Sequence, residues 1–133
     1  MSLWDSVCFV MTYAGRAKRV NMDLYDRGIA LFNSSEFYDA HEVLEDVWRA
    51  EQGPHKLFLQ GLIQVAVALH HHSTGNIVGC RSLLKRAERN LSSYPENYFN
   101  LNLAPFRASI SAWQVALDEN SPVPPAPKLE LLP

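Results

Sequence analysis

The residues with chemistry to offer fall into two groups. His41, Glu42 and Glu45 stand close together, with Trp48 about one turn further on. At about 100° per residue His41 and Glu45 share one edge of a helix, beside Trp48. An imidazole and a carboxylate at that spacing can hold a divalent metal, act as an oriented acid–base pair, or bind a small ligand. The second group is Gln60, Gln64 and His71, which fall within roughly 40° of one another on an otherwise apolar run. They draw a polar line about 16 Å long, at about 1.5 Å per residue. Buried amides and imidazoles need hydrogen-bond partners, so the line calls for polar groups from another element.

Three chemistries compete for these residues. A metal reading takes His41, Glu45 and His71 as ligands, with the glutamines orienting them from behind. The order His41-Glu42-Val43-Leu44-Glu45 is not the zincin His-Glu-x-x-His, because Glu45 replaces the second histidine. Nor does it supply the Glu-x-x-His pairs of di-iron bundles. An acid–base reading uses His41 or His71 with Glu45 as orienter, yet no serine or cysteine stands beside either histidine as nucleophile. A structural reading pairs Glu45 with His41 or with Arg49 at i,i+4, and sets the glutamines to satisfy groups between helices. Asp39, Glu42, Glu45 and Asp46 put four acids in eight residues. Their repulsion costs a few tenths of a kcal/mol per pair unless a cation lies near, and Arg49, Arg107 or a metal answers that need. The sequence therefore leaves open whether the protein is an enzyme, with a divalent metal as the candidate cofactor. His70, His71 and His72 cannot chelate together, since neighbours on a helix point about 100° apart. His71 is assigned to the polar line, His70 is second choice, and His72 is placed at a solvated helix end.

The elements that position these groups are helical. Helices are expected over about 23–32, 36–51, 57–73, 77–93 and 104–118, with a further one leading from residues 1–20, where Met22 is an alternative start. Asn33 or Ser35 can cap the second, and Glu36 stands three after Asn33, the capping-box spacing. Gly53-Pro54, Gly75-Asn76 and Tyr94-Pro95 punctuate the later ones. No stretch alternates with period two, so no sheet is expected, and Glu96 to Leu103 reads as an ordered loop. The fold class is all-α: one bundle of five to six helices over 1–120, with a Pro-rich tail over 121–133. That tail is expected to be mobile, or to lie along the body through Leu129, Leu131 and Leu132. Phe37 to Leu44 and Ile77 to Leu84 match in pattern at an offset of 40, as stacked helical hairpins similar to tetratricopeptide units would. Helices joined by short turns pack antiparallel, which can bring His41 and Glu45 to face the glutamine line. Trp48 and Trp113 read as core anchors.

Composition limits the function. A chain of 133 residues makes one well-buried domain. Its net charge of -2 carries no footprint for nucleic acid or an anionic membrane, so neither partner is expected. Arg81, Lys85, Arg86 and Arg89 form a basic cluster on one helix, which reads as a solvated helix face. The 57–69 run is too short to span a bilayer, and an acidic start without a basic region speaks against a secretory signal. Cys8 and Cys80 make no disulfide framework, which points to the cytoplasm. A non-catalytic interaction module, or a homo-oligomer joined through the helical surface, is the alternative to a ligand-binding protein.

The phrase from Leu31 to Arg49, with Phe37-Tyr38-Asp39-Ala40-His41-Glu42-Val43-Leu44-Glu45 and Trp48 inside it, closely resembles the signature of the domain-of-unknown-function 309 family. Phe58 to His71, followed by Gly75-Asn76, is similar to that family's second signature. Cys80 stands where the family commonly has alanine. The resemblance implies a small helical bundle of a kind found in bacterial, archaeal and plastid proteins. It implies no reaction, because no activity is established for the family.

Overall fold

Residues 21–133 are described in the computed structural model, where five helices and one small sheet make up the regular backbone. The helices are α1 (Met22–Asn33), α2 (Phe37–Ala50), α3 (His55–Ser73), α4 (Ile77–Leu91) and α5 (Leu103–Asp118). The expected leading helix falls outside the described residues. Side-chain caps open three of the helices: Asn21 accepts from the Leu24 N–H, Asn76 from Gly79 and Asn102 from Ala104. Glu36 stands at the cap position of α2 without a side-chain cap bond, and Asn33 belongs to the end of α1, so the expected capping box does not form.

Two turns close by the same device. Ser35 (φ 64°) and Gly75 (φ 86°) adopt the left-handed conformation just after α1 and α3. Glu36 N–H donates to Leu31 O and Asn76 N–H to His71 O, while Ser35 and Gly75 donate to Phe32 O and His72 O. These are Schellman closures, which satisfy the last carbonyls of each helix. The two closures recur at the same offset as the sequence repeat.

The apolar character of α3 is spent on burial from several sides. Phe58, Leu59, Leu62, Val65, Ala66 and Leu69 are all buried, and α3 packs on both α2 and α4. Gly61 lets α4 in: a Cβ there would stand 2.7 Å from Leu91 Cγ. α5 closes on α1 through Phe106, whose ring meets Phe32 edge-on at 5.8 Å. Among the described residues no helix is long and apolar enough to cross a membrane.

The helical bundle carries a small sheet that the sequence pattern does not predict. β1 (Asn97–Tyr98), β2 (Leu101–Asn102) and β3 (Glu130–Leu131) form an antiparallel sheet in that order. Strands this short cannot show a period, which is why the pattern is silent. β1 and β2 are joined by Phe99 (φ 47°) and Asn100 (φ 66°). Positive φ at both central residues is the signature of a type I′ hairpin. A phenylalanine there is strained by about 1–3 kcal/mol. Offsetting this, its ring is sandwiched between His55 at 4.1 Å and Tyr25 at 4.2 Å, and the Tyr25 hydroxyl donates to its carbonyl. Burial pushes the Tyr25 hydroxyl well above its ordinary pKa, as expected for a donor held in apolar surroundings.

After α5 the chain returns across the body. Trp113 Nε1 donates to Pro125 O, and Leu129 is buried. The Asn33 amide donates to Leu129 O at 2.9 Å and accepts from Leu129 N–H at 2.8 Å. Lys128 Nζ reaches Asn33 O at 2.7 Å.

Cys80, on the buried face of α4, has its thiol pushed by desolvation from 9.0 up to about 11. The folded chain then holds that proton where the unfolded chain has released it. Cys80's contribution to stability should therefore be constant below pH 9 and fall between pH 9 and about 11. Denaturant titrations of wild type and Cys80→Ala across that range test this: the difference between the two should change with pH, and a parallel pair of curves would refute it.

Candidate functional site

A groove of about 300 Å³ opens between α2, α3 and α4, lined by His41, Glu45, Trp48, Gln60, Ile63, Gln64, Val67 and Leu83. Five of the seven residues singled out by sequence thus share one cavity. They meet because α2 turns its His41–Glu45–Trp48 edge toward the Gln60–Gln64 line of α3. The apolar floor includes Ile63 and Val67, which complete the i, i+3, i+4, i+7 set begun by Gln60. That signal is present in the sequence but reads as ordinary core.

Hydrogen bonds fix what each polar group presents. His41 Nδ1 lies 2.9 Å from Tyr38 O. A carbonyl only accepts, so Nδ1 is the donor, and in the neutral ring this leaves Nε2 as an acceptor. The Tyr38 ring lies 5.0 Å from the His41 ring and keeps it oriented. Gln64 Oε1 accepts from Asn90 Nδ2 at 2.8 Å. The Gln64 NH₂ remains as its donor end. Asn90 leaves no trace in the sequence, since a single polar residue on α4 has no periodic signal.

The cation answering the acidic helix is Arg49, which lies 3.3 Å from Glu45 and 2.8 Å from Asp46. Arg107 is elsewhere: it donates to Leu91 O at 2.6 Å and to Tyr94 O, capping the end of α4. The Glu45–Arg49 pair is half exposed. Exposed pairs at i,i+4 contribute only about 0.3 to about 0.5 kcal/mol. Glu45 is therefore open to a competing cation. Trp48 packs one ring face beneath Lys56 Nζ, 3.8 Å from the ring centroid. The same Nζ donates to Trp48 O, so a cation–π contact and a hydrogen bond act together.

Two expected members are not in the groove. Glu42 is exposed on α2, and His71 points to Asn76 Nδ2 at 3.4 Å, at the far end of α3. The periodicity places His71 near the glutamine azimuth, but the groove ends about one turn short of it, at Val67. His70 lies against the Tyr38 ring at 5.2 Å, and His72 packs edge-on to Trp113 at 4.9 Å rather than ending in solvent. His41, Glu45 and His71 therefore do not converge as a ligand set. Among the described residues no group of three or more His, Cys, Asp or Glu side chains is placed to hold a metal ion.

Comparison with known proteins finds a family match over part of the chain and relatives without an assigned activity. An uncharacterized protein of Aquifex aeolicus (strain VF5) is 36% identical over 78 residues, which are 58% of this chain and 23% of that one. The uncharacterized protein YpuF of Bacillus subtilis (strain 168) is 34% identical over 59 residues, 44% of this chain and 34% of that protein. The chain thus spans about a quarter to a third of the length of these relatives. Residues 25–83 match the Domain of unknown function (DUF309), and all eight residues lining the groove fall inside the match.

Proposed function

We propose that the groove binds a small organic amine that carries an apolar body, without catalysing a reaction on it. One observation carries this reading: a carboxylate (Glu45) and an imidazole acceptor (His41) stand over a floor of Trp48, Ile63, Val67 and Leu83. A protonated amine satisfies both acceptors, while the floor takes the apolar part. The acids of α2 add a local field that favours a cation. The volume, about 300 Å³, sits at the lower end of the range of small-molecule sites. None of the lining residues is a serine, threonine or cysteine, so the groove itself offers no hydroxyl or thiol nucleophile.

Phenethylamine is a suitable probe, with 2-phenylethanol as its uncharged counterpart. Titration followed by heteronuclear NMR should shift the Gln60 and Gln64 side-chain amides and the Trp48 indole with the amine, and much less with the alcohol. Glu45→Gln should weaken amine binding by about tenfold, the scale of one charged hydrogen bond, and leave the helical spectrum intact. Unshifted resonances at millimolar amine, or equal binding by Glu45→Gln, would refute the proposal.

A further inference from the structure

A second cavity, of about 350 Å³, lies between α4 and α5 and is lined by Arg81, Ser82, Lys85, Arg86, Arg89, Gln114 and Asp118. Every one of these side chains is polar or charged, and four are cations. Arg81, Lys85 and Arg89 follow one another at i,i+4, so they form a row with about 6 Å between successive residues and about 12 Å overall. Lys85, Arg86 and Arg89 make no ion pair among the described residues, while Arg81 is tied across the cleft to Asp118 at 2.5 Å. Glu88, the acid of α4, is taken up on α5 by Ser111 at 3.1 Å and Gln114 at 2.9 Å. Lys85 and Arg89 therefore keep their like charges uncompensated at i,i+4, a repulsion that an anion in the cleft relieves. In a chain of net charge -2 this is a strong local reversal of sign.

We propose that the α4–α5 cleft binds a chain of linked phosphates, gripped by Arg81, Lys85, Arg86 and Arg89. Guanidinium forks match phosphate oxygens in pairs, and a lysine adds a point charge. A row of charges rather than a single focus selects several linked anionic groups over one. The lining has no apolar or aromatic residue, so it offers no aromatic ring to stack on a nucleobase. Asp118 opposes the ligand and competes for Arg81, which sets a limit on affinity that one substitution can lift.

Calorimetric titration of the full chain with tripolyphosphate, at about 50 mM salt where screening is moderate, tests this. Wild type should bind, and more weakly as salt rises. The double variant Lys85→Ala/Arg89→Ala should lose about tenfold or more in affinity, the scale of a lost charge-assisted contact. Lys128→Ala, which removes a cation elsewhere, should leave it unchanged. Asp118→Asn should tighten binding severalfold, whereas Asp23→Asn, with the same change of net charge, should not. ATP binding as tightly as tripolyphosphate would support recognition of the phosphate chain alone. Absence of binding by wild type, an equal loss in Lys128→Ala, or equal affinity for orthophosphate or tetraglutamate would overturn the proposal.

Discussion

Phe58→Ala is expected to lower the free energy of unfolding by about 3–5 kcal/mol. Phe58 is wholly buried at the start of α3, with Tyr98 at 4.9 Å, Tyr94 at 5.5 Å and Phe99 at 6.0 Å from its ring centroid. Its own N–H donates to the Tyr94 hydroxyl, which in turn donates to Pro54 O. Removing the ring thus opens a cavity beneath the hairpin and loosens the tyrosine that satisfies a first-turn N–H of α3, one that has no partner within the helix. A domain of this size is stable by only about 5–15 kcal/mol, so the loss is a large fraction of the total. Chemical denaturation followed by far-UV circular dichroism measures it. A change below about 1 kcal/mol would mean that the aromatic cluster lies outside the cooperative core.

Asn33→Ala should cost about 2–3 kcal/mol, because it deletes both hydrogen bonds to Leu129 and strands a partly buried N–H and carbonyl. The effect should be regional as well as global. Hydrogen exchange at Leu129 and at Leu131 and Leu132 should accelerate, while α2 and α3 keep their protection. Unchanged exchange there would show that the return segment is held by something other than the asparagine amide.

Much of the groove is legible in the sequence because a helix repeats. His41, Glu45 and Trp48 recur with one periodicity and Gln60 and Gln64 with the same one, so each edge is visible before any partner is known. What the period does not convey is where the groove stops. His71 has the right azimuth and the wrong height. Asn33 shows the opposite failure: local rules make it a cap for the following helix, yet its amide serves a residue 96 positions away. The hairpin at Phe99–Asn100 is hidden for a related reason. A phenylalanine at positive φ contradicts local preference, and Tyr25 and His55 hold it from distant elements. The identity of the groove's occupant has no such periodic trace, because a ligand leaves no spacing of its own.

The clasp between Asn33 and Leu129 also imposes an order on biosynthesis. A ribosome adds about 5 to about 20 residues per second, so the interval between the two partners lasts on the order of 5 to 20 seconds. The stretch it travels in that time is the 96 positions that separate them. Meanwhile the nascent helices can settle against their sequence neighbours, but the asparagine that will hold the last strand has nothing to hold. The native contact is thereby tied to emergence of that strand, so a chain released before it would leave the amide unclaimed.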